Sequence, residues 1–134
     1  MYIVDSSAWI EYLRKTGSRA HLQVREMVRR ESPNAGVTEP VIMELLAGAS
    51  SRENFMRLQQ LMDAMPLCSV SPVSDFTEAA ALLRYLRDKG ITIQSKVDCL
   101  IAAVASRRDA TIVHADGDFD TIASRYPVQV MSLV

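Results

Sequence analysis

Short β-branched runs alternate along this chain with longer stretches of helical periodicity, and that alternation constrains its fold more than any other feature. The short runs are Met1–Val4, Ala35–Val37, Leu67–Val70, Thr111–His114 and Val128–Met131. Between them, helical patterns cover about residues 6–15, 18–31, 38–48, 52–65, 75–89, 95–107 and 119–124. Strands that alternate with helices build a parallel sheet whose crossover helices cover both faces. The reading is therefore a single α/β domain over residues 1–134, with a four- to five-stranded parallel sheet flanked by helices on both faces.

Local signals set the boundaries. Pro33 and Asn34 break the second helix, and Thr38 stands as an N-cap with Pro40 in the first turn. Gly90 gives a C-terminal stop, and Ser95 caps the helix that follows.

The most informative residues are acids that interrupt apolar runs. Asp5 ends Tyr-Ile-Val-Asp, and Asp116 ends Thr-Ile-Val-His-Ala-Asp. Glu44 sits alone in Val-Ile-Met-Glu-Leu-Leu-Ala, and Asp98 sits in Val-Asp-Cys-Leu-Ile-Ala-Ala-Val. A buried carboxylate without a partner is strongly disfavoured, so such a group is neutralised, paired or bound to a metal. Helical spacing puts Glu44 on the face of Val41, Leu45 and Gly48, and Asp98 on the face of Ile101, Ala102 and Ala105. Both acids are thus expected to point partly toward the core. Asp5 and Asp116 follow the first and fourth short runs, at the carboxyl end of a parallel sheet, where ligands bind in such folds.

Each acid also has a structural explanation. Asp5 could cap the next helix, and Asp116 could be a turn residue. Ser95-Lys-Val-Asp98 matches a capping box. Glu44 could pair with an arginine from another helix. One shared cause accounts for all four more simply, namely a hard divalent cation that takes oxygen ligands. Carboxylate-held Mg²⁺ or Mn²⁺ suits phosphodiester chemistry and requires no separate general base. His114 reads as a structural or supporting residue inside a strand, and His21 as part of a basic helix.

Charge and cysteine content narrow the setting. Net charge is -1, yet residues 14–30 hold six basic side chains against Glu26, while residues 109–120 hold four aspartates and no base. An acidic pocket beside a basic flank suits a metal site that receives a phosphate backbone. Cys68 and Cys99 lie far apart in apolar runs and read as small core residues rather than a disulfide framework. The chain carries no signal-peptide pattern and no apolar run of membrane-spanning length, so a cytoplasmic protein away from the membrane is expected.

At these residues the sequence resembles the PIN-domain ribonucleases, and within them the VapC toxins of type II toxin–antitoxin pairs. The resemblance rests on Ile3-Val-Asp-Ser-Ser-Ala-Trp-Ile, Val41-Ile-Met-Glu-Leu-Leu-Ala-Gly, Gly90-Ile-Thr-Ile-Gln-Ser-Lys-Val-Asp-Cys-Leu-Ile-Ala-Ala and His114-Ala-Asp-Gly-Asp-Phe-Asp, whose order covers nearly the whole chain. It implies an endoribonuclease that cleaves RNA by metal-activated water, with Mg²⁺ or Mn²⁺ held by Asp5, Glu44, Asp98 and Asp116. It further implies Asp118 as a ligand or near neighbour, Ser7 as a supporting hydroxyl, a homodimer, and a VapB-like antitoxin whose tail enters the site. Asp120 reads as a surface or capping residue. Arg14, Lys15 and Arg19 are candidates for RNA phosphate contacts. Trp9 is read as core rather than a base-stacking residue, and the scattered methionines as core or dimer-interface filler.

Two other classes compete. A phosphotransfer enzyme with an Asp nucleophile after the first strand would want a second Asp two residues on, where this chain has Ser7. A non-enzymatic interaction module would leave the acids as caps and solvated residues. Metal dependence separates both from a ribonuclease.

Overall fold

The computed structural model describes residues Met1–Val134. Its sheet has four strands, β1 (Tyr2–Val4), β2 (Ala35–Gly36), β3 (Thr111–His114) and β4 (Gln129–Ser132), in the order β2-β1-β3-β4. All pairings are parallel, with Val4 opposite Val113 and His114 opposite Ser132. Seven helices connect them: α1 (Ser6–Leu13), α2 (Arg19–Arg29), α3 (Glu39–Ala47), α4 (Arg52–Asp63), α5 (Ser74–Asp88), α6 (Lys96–Arg107) and α7 (Gly117–Ala123).

Successive strand residues point to opposite faces. Ile3 and Val4 in β1, and Ile112 and Val113 in β3, are all fully buried, so both faces of the sheet are covered. Trp9 is fully buried, edge-on to Tyr12, which makes it core rather than a stacking platform. Cys68 and Cys99 are buried and free, as expected. Met27 and Met62 are buried, whereas Met43 and Met56 are exposed. No helix is long and apolar enough to cross a membrane.

The expected strand at Leu67–Val70 does not form. It is reduced to a single bridge between Val37 and Leu67. Side chains take over its backbone groups instead. The Glu39 carboxylate accepts from the Val70 N–H at 2.9 Å and from the Ser69 hydroxyl at 2.6 Å. The Arg107 guanidinium donates to the Ser69 carbonyl at 2.9 Å. The same segment passes close enough to β2 that a Cβ on Gly36 would lie 2.7 Å from the Pro66 carbonyl oxygen.

From β1 the chain crosses to β2 on one side and then returns past β1 to β3 on the other. The crevice at the carboxyl ends of β1 and β3 is therefore the topological switch point, where open parallel sheets bind ligands. Asp5 and the Ala115–Asp116 turn open onto it.

Candidate active site

Asp5 leaves β1 and caps α1. Its Oδ2 accepts from the Ser7 N–H at 2.9 Å and from the Ser7 hydroxyl at 2.6 Å. The same hydroxyl accepts from the Ala115 N–H at 3.0 Å, so one side chain joins the ends of β1 and β3. Asp5 Oδ1 is buried and has no hydrogen-bond partner. Asp116 caps α7 in the same way, its Oδ1 accepting from the Asp118 N–H at 3.0 Å. Both aspartates are thus caps with a second oxygen to spare. The capping and site interpretations of the sequence coexist because a carboxylate has two acceptor atoms.

Asp98 lies in the first turn of α6 and is buried. Ser95 caps that helix by accepting from the Val97 N–H, and the Asp98 side chain makes no capping bond, so the capping-box reading does not hold. Asp98, Asp116 and Asp118 bring one carboxylate oxygen each within 4.8 Å of one another. Asp118 is held from outside by the Gln94 N–H at 3.3 Å.

Glu44 departs from expectation. Val41 and Leu45 are buried, but Glu44 is exposed at the mouth of the crevice, where the Ser6 hydroxyl donates to its Oε1 at 3.1 Å. On a helical wheel it borders the apolar face rather than belonging to it.

The electrostatics bind the five acids into one group. Burial, and then the charges of Asp5, Asp116, Asp118 and Glu44, push the Asp98 carboxyl up to about 8. Burial also raises Asp5, against the Ser7 hydrogen bonds that favour its charged form, with Asp116 adding to the rise. Partial burial raises Glu44, Ser6 opposes that, and Asp5 contributes. The three ion pairs of the chain, Arg30–Glu26, Arg107–Asp75 and His114–Asp120, involve none of these five carboxylates. None of the five carboxylates is therefore neutralised by an ion pair within the chain.

Among the basic candidates, Arg14, Lys15 and Arg19 are all exposed. Arg14 and Glu44 line one groove of about 550 Å³ between α1, α3 and α4, together with Asn54, Arg57 and an apolar floor that includes Leu45 and Leu58. Nothing places Lys15 or Arg19 in that groove. Sequence reasoning missed Ser6 and Gln94, whose bonds to Glu44 and Asp118 span 38 and 24 residues along the chain, and Arg57, which lines the groove beside Glu44. It also gave Asp120 no partner. Asp120 faces the fully buried His114 ring, its Oδ1 3.3 Å from Nε2.

Comparison with known proteins agrees with this architecture. A PIN domain family model matches residues 2–124. The chain is 42% identical over 132 residues to the VapC ribonuclease Mb1587 of Mycobacterium bovis and to ribonuclease VapC11 of Mycobacterium tuberculosis, covering 98% of each sequence. Among solved structures, the DNA-bound VapBC of Salmonella typhimurium superposes with a TM-score of 0.75 at 16% identity, covering 99% of this chain and 98% of that one. VapBC-1 of Haemophilus influenzae gives 0.71 at 19%, over 98% and 97%. The chain belongs to the PIN-domain family and stands among its VapC members.

Proposed function

We propose that this chain is the toxin of a type II toxin–antitoxin pair, a Mg²⁺- or Mn²⁺-dependent endoribonuclease that hydrolyses RNA phosphodiester bonds at Asp5, Glu44, Asp98, Asp116 and Asp118. The observation that carries the reading is the convergence of these acids at the switch point with no ion pair to any of them. The donor set fits a hard divalent ion. It is all oxygen, and it includes the buried Asp5 Oδ1, which otherwise has no partner. A bound ion supplies a lowered pKa for its water and a positive charge against the phosphate.

The remaining work falls to the chain itself. Ser7 holds Asp5 in one orientation and fixes its distance from the β3 turn. Ser6 steadies Glu44 at the mouth. Asp98 retains a proton in the metal-free state at neutral pH and must release it for the full set of carboxylates to act. His114 is fully buried, with Nδ1 engaged by the Asp116 N–H, so it does not serve as a base toward RNA. Arg14 and Arg57 border the groove beside Glu44 and supply positive charge where a phosphate backbone would run.

The close VapC relatives support the toxin reading, and a VapB-like antitoxin is its natural partner. A basic residue of that partner would neutralise the same acids. A homodimer belongs to the same reading, and the free cysteines fit a reducing cytoplasm. Sequencing of RNA 5′ ends after expression of the chain and of its Asp98→Asn variant tests the proposal. New, discrete ends with the parent chain alone support it. Identical ends from both proteins, or none from either, refute it.

A further inference from the structure

We infer that His114, Asp120 and Ser132 form a positioning chain that sets the Asp116–Asp118 segment, an inference that rests on the metal-site reading above. The Asp116 backbone N–H donates to His114 Nδ1 at 3.2 Å. Acceptance there requires Nδ1 to be unprotonated, which places the ring proton on Nε2. Asp120 Oδ1 lies 3.3 Å from that atom but off the line of its N–H, so Nε2 is fully buried with a carboxylate oxygen beside it and no formed hydrogen bond. Asp120 is in turn held by the Ser132 hydroxyl, which donates to its Oδ2 at 2.9 Å. Phe119 packs against the imidazole with ring centroids 5.2 Å apart, and the Leu133 N–H donates to the His114 carbonyl at 2.8 Å.

The order of contacts runs from the end of β4 to the acid cluster. Ser132 orients Asp120, the Asp120 oxygen beside Nε2 favours the tautomer protonated there, and the imidazole fixes the Asp116 amide. From there Asp116 Oδ1 receives the Asp118 N–H, so both carboxylates inherit their placement. His114 and Asp120 are positioning residues, since neither reaches the crevice. Partners of this kind orient ligands in metal sites, and their loss weakens metal affinity by roughly 10–100-fold.

Two pairs of variants test the inference, each read by Mn²⁺ titration calorimetry and by hydrogen exchange of the Asp116 amide in metal-free protein. Asparagine at position 114 can offer an acceptor near the Nδ1 site, whereas phenylalanine fills the pocket and offers none. His114→Asn is expected to keep the Asp116 amide protected and most of the Mn²⁺ affinity. His114→Phe is expected to expose the amide and lose about tenfold or more. A packing role alone gives the opposite order, because phenylalanine fills an apolar pocket better. Asp120→Asn and Asp120→Ala remove the same charge, so a weaker Mn²⁺ affinity in the alanine variant reports the lost acceptor. These surface changes keep the test available if His114→Phe does not fold. Equal amide exchange and equal affinity within each pair would overturn the inference. If the parent chain binds no Mn²⁺ while the amide still opens in the alanine and phenylalanine variants, the metal reading fails and the positioning chain stands.

Discussion

Ser7 and Ala115 are joined across the switch point. The Ser7 hydroxyl accepts from the Ala115 N–H at 3.0 Å while donating to Asp5 Oδ2 at 2.6 Å. One oxygen thereby fixes the spacing between the acid after β1 and the turn that carries Asp116. Ser7→Ala leaves a partly buried N–H and a buried carboxylate oxygen short of a partner, a loss of about 1–3 kcal/mol in stability. It also frees Asp5 to rotate. Chemical denaturation should show that loss, and RNA cleavage should fall by about tenfold or more with the fold retained. Unchanged cleavage would leave Ser7 a helix-capping residue only.

Asp98→Asn should stabilise the metal-free protein at neutral pH and abolish cleavage. The folded-state carboxyl of Asp98 is raised to about 8, so the native state binds more protons than the unfolded chain between roughly pH 4 and pH 8. Its contribution is fully favourable below that window and is lost as pH rises through it. Metal-free stability of the parent chain should therefore decline from acid toward pH 8, and the decline should be shallower in Asp98→Asn. A melting temperature about 5 °C or more above the parent near pH 8 is the expected reading. Parallel profiles for the two proteins would show that Asp98 does not carry the strain.

Metal affinity should follow the same proton in the opposite sense. Loading requires Asp98 to ionise, so apparent Mn²⁺ affinity should rise with pH up to about 8 and level off above it. Titration calorimetry across that range, with proton release measured in two buffers, checks this. An affinity independent of pH would separate Asp98 from the ion.

Glu44→Gln should cost activity and little stability. Glu44 is exposed and tied only by Ser6, so the fold does not depend on its charge. The expected result is a melting temperature within a few degrees of the parent and cleavage reduced by about tenfold or more. Wild-type cleavage would place Glu44 outside the chemistry.

Arg107 supplies a contrast far from the acids. Its guanidinium holds buried Asp75 below the usual carboxylate range and reaches the Ser69 carbonyl, joining α5, α6 and the segment after α4. Arg107→Ala should destabilise the fold by about 2 kcal/mol, discounted because the arginine is partly exposed. Mn²⁺ affinity should be unchanged, and a large drop would mean that the two regions are coupled.

The sheet was legible because both signals that define it are local. Apolar runs such as Tyr2-Ile-Val and Thr111-Ile-Val end in an acid or lead to one, and each acid lands at the carboxyl end of its strand. Asp98 was legible for a related reason, as a charge inside an apolar helix. Leu67–Val70 misled because only its Cys68 N–H pairs beside β2, at the Val37 carbonyl, while the Ser69 carbonyl and Val70 N–H go to the Arg107 and Glu39 side chains, 38 and 31 residues away, which no local pattern reveals. Glu44 misled because a helical wheel identifies the apolar face but leaves a residue at its border undecided. Asp120 stayed silent because its meaning depends on the His114 ring, reached only after the β3 turn folds back on itself.

Diffraction from crystals soaked in Mn²⁺, with anomalous signal at the manganese edge, tests the central claim most directly. The expected result is an ion in the crevice between β1 and β3, coordinated by Asp5 Oδ1 and by carboxylate oxygens of Asp98 and Asp116. Manganese bound only elsewhere, or a crevice that stays empty at saturating Mn²⁺, would contradict it.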